Sequence, residues 1–317
     1  MLDAFICDAV RTPIGRFGGS LASLRPDDMA AHVITGLMTR HPSLDPHAID
    51  EVLFGCANQA GEDNRNVARM ASLLAGLPVE VPASTINRLC ASGMDSVVLA
   101  GRGIGVGDYQ LVFAGGVESM SRAPLVMSKA NHAFSRGQQM FDTTIGWRFV
   151  NPEMQAMYGV ESMPETAENV AVDYAISRQD QDAFALQSQQ RYAAADQAGV
   201  FADEILPVPI DHLAVPANLV DRDEHPRPQV TLEKLAKLPG VNGPGSSVTA
   251  GNASGINDGA AALLLASQAA LSSHGLKPIA RIVASATAGV APRVMGIGPV
   301  PASQKALAKA GLTIDDM

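Results

Sequence analysis

Short apolar runs alternate with stretches whose apolar residues recur every three or four positions, both early and late in the chain. The runs Ala4 to Cys7, Glu51 to Gly55, Thr85 to Ile86 with its flanks, and Gln110 to Ala114 predict strands. Between the last two, Met94, Val97, Val98, Gly101 and Ile104 share one helical face, apolar or small enough to lie closely on a sheet. After a long interruption the rhythm resumes. Ala260 to Ala266 predicts a strand, Ser267 to His274 a short helix stopped by Gly275, Ala280 to Ala284 a strand, and Pro301 to Ala310 a helix stopped by Gly311. Alternation of this kind is the mark of an α/β protein with a largely buried sheet.

The interruption has its own character. Ser119 to Pro228 is polar, carries the only tryptophan and three of the four tyrosines, and shows little regular alternation, so it reads as an inserted region. One helix stands out within it. It starts at Ser177, with Asp180 completing an S-x-x-D cap, runs through Phe184 and Tyr192, and stops at Gly199. Asp221 to Pro228 is charged and proline-rich, and Gly240 to Gly245 is loop-like.

Composition narrows the class. With 317 residues and 47% hydrophobic residues, the chain has enough apolar side chains for two or three packed units. A formal net charge of -9 disfavours nucleic acid as a partner, while leaving room for a local basic patch. There is no run of about 18 apolar residues, and the chain opens with Asp3 and Asp8 rather than a basic segment before an apolar core. The expectation is a soluble cytoplasmic protein without membrane association. Cys7, Cys56 and Cys90 are far apart, odd in number and outside any metal-ligand spacing, so neither a disulfide framework nor a metal site is expected.

Cys90 carries the candidate chemistry. It sits where the Thr85 to Ile86 strand gives way to the following helix, in Asn87-Arg88-Leu89-Cys90-Ala91-Ser92-Gly93-Met94. Orphan amides and the positive end of a helix dipole favour an anion there, and the thiolate is the attacking form of a cysteine. Ala91, Ser92 and Gly93 leave the approach unobstructed. The competing reading is a buried small hydrophobe, the commoner fate of a free cysteine.

Other motifs are weaker alone. Val10 to Gly19 is turn-rich but lacks the phosphate-cradling spacing, and no dinucleotide fingerprint follows the early strand, which disfavours nucleotide hydrolysis and hydride transfer. Thr249-Ala250-Gly251-Asn252-Ala253-Ser254-Gly255-Ile256-Asn257-Asp258-Gly259 offers small residues, backbone N–H groups and Ser254 to an amide-bearing ligand, and is equally consistent with a tight structural crossover. None of the seven histidines lies in a metal-binding spacing or near Cys90 in sequence.

Taken together, Asn87 through Met94, Gly115-Gly116-Val117-Glu118-Ser119-Met120-Ser121, Thr166-Ala167-Glu168-Asn169-Val170, Thr249 through Gly259, and Met295-Gly296-Ile297-Gly298-Pro299-Val300-Pro301-Ala302 resemble the thiolase family, in the family's order and over the whole chain. Phe141 to Trp147 and Glu161 to Glu165 are similar to the 3-oxoadipyl-CoA thiolases more than to the short-chain acetoacetyl-CoA type. The resemblance implies a layered αβαβα fold: an N-terminal α/β domain over residues 1–118 completed by about 256–275, an inserted loop domain over 119–255 for CoA binding and oligomerisation, and the start of a C-terminal domain over 276–317.

The resemblance further implies that Cys90 takes an acyl group from a 3-oxoacyl-CoA, releasing acetyl-CoA, and that free CoA collects it. Coenzyme A is then a co-substrate and no cofactor is permanently bound. Arg227 would meet the adenine and phosphate end of CoA, Ala250 and Ser254 its pantetheine arm, and Met163 would line the thioester pocket. Arg227 is also readable as a solvated loop arginine. Where short-chain relatives carry a histidine next to Met163, this chain has Ser162, which implies a different pocket, fitting a bulkier or carboxylated acyl group. A homodimer or homotetramer is implied. The family's pattern continues past Met317 with the segments that carry its activating histidine and second cysteine, so the chain as it stands is expected to be nearly inactive. The alternatives are a short-chain acetoacetyl-CoA thiolase and a non-catalytic protein that binds CoA esters or supports a partner enzyme.

Overall fold

A computed structural model describes residues 3–210 and 218–317. Contacts divide the chain into two units, one comprising Met1–Pro124, Phe201–His225 and Ile256–Ile282, the other Leu125–Val200, Pro226–Gly255 and Val283–Met317.

In the first unit the main elements are strand β1 (Ala4–Arg11), the short β2 (Gly15–Arg16), helix α1 (Pro26–Arg40), β3 (Glu51–Gly55), α2 (Val67–Leu74), β4 (Ala83–Ile86), α3 (Ser92–Val106) and β5 (Leu111–Ser119). The second unit begins with a hairpin of β6 (Leu125–Met127) and β7 (Met140–Asp142), followed by α4 (Pro152–Tyr158), α5 (Met163–Asp173) and α6 (Arg178–Gln197). Strands β8 (Val208–Ile210) and β9 (Asn218–Val220) pair with each other in the first unit, α7 (Leu232–Ala236) lies in the second, and β10 (Asn257–Ser267), α8 (Gln268–His274) and β11 (Ala280–Arg281) return to the first. Helix α9 (Pro299–Ala310) closes the second unit's elements of more than one turn.

The sheet of the first unit runs β11-β1-β10-β5-β3-β4, with β2 on β10. β3 is parallel to both β4 and β5, whereas β10 is antiparallel to β1 and β5. Both faces are covered. Met29, Val33, Ile34 and Leu37 of α1 and Val67, Ala68 and Ala71 of α2 bury one face with Val52, Phe54, Phe113 and Leu264. Ala100 and Ile104 of α3 bury the other with Leu53, Val112, Ala114 and Leu265. The result is an α–β–α sandwich whose central strands are apolar on both sides, as the near-continuous runs predict.

Several elements differ in extent from the sequence reading. β1 and β5 run on to Arg11 and Ser119, because both pair along the long β10. Glycines at 115 and 116 read as a break, yet they sit inside β5; a Cβ on Gly115 would collide with the Ala261 carbonyl across the ladder. The strand expected at Ala280 to Ala284 shortens to Ala280–Arg281, a two-residue addition to the sheet edge beside β1. Met94 does not lie on the sheet: it is 74% exposed, and α3 buries Ser92, Ser96, Ala100 and Ile104 instead. The Asp221 to Pro228 stretch is split, since residues up to His225 cluster with the first unit rather than with the rest of the insertion.

Candidate active site

The position of Cys90 is set by a turn between β4 and α3. Ala91 is the N-cap of α3, so Cys90 stands immediately before the helix, and it is exposed. Leu89 adopts φ +49°, a left-handed conformation that costs a non-glycine residue about 1–3 kcal/mol. Hydrogen bonds hold it there. Asn87 Oδ1 accepts from the Leu89 amide at 2.8 Å, and Ser92 Oγ accepts from the Arg88 amide at 2.9 Å while donating to the Leu89 carbonyl. Arg88 pairs with Asp95 on the first turn of α3 at 2.9 Å.

A brace reaches this turn from the middle of the sheet. The Glu118 carboxylate accepts the amides of Ala57 and Asn58 at 2.9 and 3.1 Å, fixing the loop that leaves β3. The carbonyl of Ala57 in turn accepts from Asn87 Nδ2 at 2.9 Å. Helix α3 is pinned by Ser96 Oγ, which donates to the Gly115 carbonyl at 2.7 Å. A Cβ on Gly55 would strike the backbone of Ser92 and Gly93, so glycine there is what lets the start of α3 come down onto the sheet.

The other two cysteines are different in kind. Cys7 and Cys56 are buried. Burial, then the charge of Asp8, pushes the Cys7 thiol up to about 11. Burial, then Glu118 and Asp63, pushes the Cys56 thiol well above the ordinary range. Both are therefore held as thiols at neutral pH and kept from solvent. Sγ of Cys56 and carboxylate oxygens of Asp63 and Glu118 lie within 4.8 Å of one another, but the carboxylates already accept backbone amides from Gln59, Gly61, Ala57 and Asn58. This cluster is the core of the brace.

The remaining candidates, Met163, Arg227, Ala250 and Ser254, all belong to the second unit. Met163 is the first residue of α5, half-exposed, behind a capping box in which Glu165 accepts the Ser162 amide at 2.7 Å. Arg227 is exposed, and its backbone amide donates to Gln189 Oε1 of α6 at 2.7 Å. Ala250 and Ser254 are exposed on a loop whose base, Val248 and Thr249, is buried.

That loop is shaped by groups to which sequence reading assigned no role. Glu168 on α5 accepts the Ser247 amide at 2.9 Å, the Val248 amide at 3.1 Å and the Ser247 hydroxyl at 2.8 Å. Partial burial pushes its carboxyl up, but these donors outweigh that and leave it below the ordinary glutamate value. Asn252 accepts the Thr249 amide at 2.7 Å and donates to Asp182 of α6 at 3.0 Å, and Asp182 is held by Arg178 at 2.9 Å. A Cβ on Gly251 would lie 2.5 Å from the terminal methyls of Leu235 and Leu238, so a larger residue there would make these side chains shift. Glu168 lay within a recognisable motif; its partners, about eighty residues away, were not readable from spacing.

The chain is similar to known proteins over nearly its whole length. Residues 4–269 match the model of the thiolase N-terminal domain and residues 276–317 that of the thiolase C-terminal domain. A beta-ketoadipyl-CoA thiolase of Pseudomonas aeruginosa is 64% identical over 99% of this chain and 78% of its own length. A 3-oxoadipyl-CoA/3-oxo-5,6-dehydrosuberyl-CoA thiolase of Escherichia coli is 59% identical over 100% of this chain and 79% of its own. Among solved structures, human mitochondrial 3-ketoacyl-CoA thiolase in complex with CoA superimposes with a TM-score of 0.90 at 40% identity, covering 100% of this chain and 77% of that one. Bacillus anthracis acetyl-CoA acetyltransferase gives 0.91 at 39% identity, with 100% and 78% covered. An exposed cysteine braced between strand and helix, a loop of small residues shaped by two helices, and matches to both family domains make this chain a member of the thiolase family.

Proposed function

We propose that this acyltransferase acts on 3-oxoadipyl-CoA, with Cys90 as its nucleophile. The supporting observation is Cys90 itself, the exposed cysteine in a chain whose other two are buried with raised thiols. The relatives between 57% and 64% identical over nearly the full chain are named for this substrate, whereas a relative named acetyl-CoA acetyltransferase is 45% identical.

The chemistry is a carbon–carbon cleavage in two halves. Sγ of Cys90 attacks the 3-oxo carbon; the bond between C2 and C3 breaks, its electron pair stays on the acetyl-CoA fragment, and that carbon takes a proton. The succinyl group is left as a thioester on Cys90. The sulfur of a free CoA then attacks this thioester, giving succinyl-CoA and regenerating the cysteine. In this reading the positive end of the α3 dipole favours the developing negative charge beside Cys90.

In this reading Arg227 meets the nucleotide end of CoA, its planar fork suited to phosphate or to stacking on a base. Ala250 and Ser254 follow the pantetheine arm and Met163 lines the thioester pocket. CoA is a co-substrate, and no resident cofactor takes part. The protein works in the cytoplasm as a homodimer or homotetramer, with residues 119–255 serving CoA binding and assembly. Exposed Leu125, Met127 and Met140 on the β6–β7 hairpin support the assembly role. Among the described residues no helix is long and apolar enough to cross a membrane.

The test is product analysis. With 3-oxoadipyl-CoA and CoA, the turnover of this chain, however slow, should yield equal amounts of succinyl-CoA and acetyl-CoA, and Cys90→Ser should yield neither. Cleavage of acetoacetyl-CoA with 3-oxoadipyl-CoA left intact would overturn the substrate, and cleavage by Cys90→Ser would overturn the nucleophile.

A further inference from the structure

The pantetheine arm of a CoA ester runs directly into its thioester, so the groups that meet these two parts must stand at a fixed spacing before the ligand arrives. Resting on the reading above, we propose that Asn242 sets this spacing: it is a positioning residue that fixes Met163 relative to the loop carrying Ala250 and Ser254.

The case lies within the second unit. Residues 240–249 fold back on themselves. The Val241 amide donates to the Val248 carbonyl at 2.9 Å, and Gly240 and Thr249 pair as an antiparallel bridge. Gly243 and Gly245 make the return at φ +103° and +87°, a region that glycine enters without strain. This doubled segment leads straight into Ala250. Asn242 stands on its outgoing arm, where Nδ2 donates to the Pro164 carbonyl at 3.0 Å. Pro164 directly follows Met163 in the first turn of α5.

The contact is one of two between this segment and α5. Glu168 accepts the Ser247 and Val248 amides of the returning arm, and the Asn242 side chain also bonds to the Glu168 carboxylate. Pro164 and Glu168 are one helical turn apart, about 6 Å along the axis. A single tie would leave the loop free to pivot on α5, whereas two ties a turn apart hold its direction. The capping box fixes the first turn of α5 to itself; Asn242 fixes that turn to the loop. Met163, half-exposed at the start of the turn, is thereby held at a set distance from Ala250 and Ser254.

Calorimetry with succinyl-CoA and free CoA separates this role from a general loosening, since only the ester presents a thioester to Met163. Cys90→Ala protein prevents acyl transfer and should bind the ester more tightly than free CoA. Asn242 is exposed, so truncating it leaves no cavity. Adding Asn242→Ala should weaken succinyl-CoA roughly fivefold and free CoA by less than about twofold. Asn242→Gln, which keeps the donor, should recover part of the loss, whereas Asn242→Asp, which keeps the shape and replaces the donor with an acceptor, should not. Equal weakening of both ligands, no weakening of the ester, or full ester affinity in Asn242→Asp would overturn the role of Asn242. If protein with Asn242 intact shows no preference for the ester, the thioester pocket at Met163 falls as well; if it binds neither ligand, the assignment of CoA to this unit fails with it.

Discussion

The proposed nucleophile, Cys90, owes its position to groups on the strand, loop and helix around it. Asn87 is the hinge of that support, because one amide side chain both accepts from Leu89 and donates to Ala57. Asn87→Ala removes both bonds and frees Leu89 to leave its left-handed conformation. The expected outcome is acylation of Cys90 by succinyl-CoA slowed about 10- to 100-fold, the order of one to three kcal/mol of positioning, with unchanged affinity for free CoA; stopped-flow release of CoA from succinyl-CoA measures the first and calorimetry the second. The place of Cys90 between a strand and a helix was legible in sequence, from the short apolar run before it and the helical spacing after it. Its brace was not, since Glu118 and Ala57 meet Asn87 only through the sheet. Met94 was misplaced for a related reason: its spacing fits the apolar face, but close contact with the sheet selects the small side chains of Ser92, Ser96 and Ala100.

At the scale of elements, helices α5 and α6 act as the frame of the CoA loop. Glu168 is the joint between α5 and that loop, and Glu168→Gln keeps the shape while removing the charge that strengthens three hydrogen bonds. CoA-ester affinity should fall about tenfold, read by calorimetry, with the far-ultraviolet spectrum unchanged. The pH dependence follows from the direction of the shift. Because folding lowers the Glu168 carboxyl below 4.5, its contribution is complete above that pH and is lost as pH falls through the lowered value. Hydrogen exchange at the Ser247 and Val248 amides should therefore speed up only below about pH 4.5, and in Glu168→Gln this step should be absent. At α3, Gly55→Ala should lower the melting temperature by several degrees, since the added methyl meets backbone rather than a side chain that can move. The elements themselves were largely readable. β3 and the cap of α6 at Ser177 fall where periodicity and the S-x-x-D pattern put them. Strand ends were not, because β1 and β5 extend for as long as β10 offers a partner, a property of pairing rather than of the strand's own residues.

For the molecule as a whole, the proposed roles fall on different units: one carries Cys90 and its brace, the other the residues proposed to meet CoA. Variants should divide in the same way, with Asn87→Ala changing the rate of acyl transfer at saturating ester and Glu168→Gln changing the concentration needed to saturate it. The α/β rhythm marks the sheet of the first unit, whereas the second unit differs from the insertion expected over 119–255: it leaves out Phe201–His225 and takes in Val283–Met317. The return of Phe201–His225 to the first unit was not visible, because Val208–Ile210 is short and Pro207 and Pro209 argue against a strand. The central claim, that Cys90 accepts a carboxylated acyl group from CoA, is tested most directly by peptide mass spectrometry after brief exposure to succinyl-CoA and rapid acid quench. The account predicts a succinyl thioester on the Cys90 peptide, none on those of Cys7 or Cys56, and its removal by excess free CoA. A chain whose Cys90 stays unmodified, or is labelled no more than Cys7 and Cys56, would contradict it.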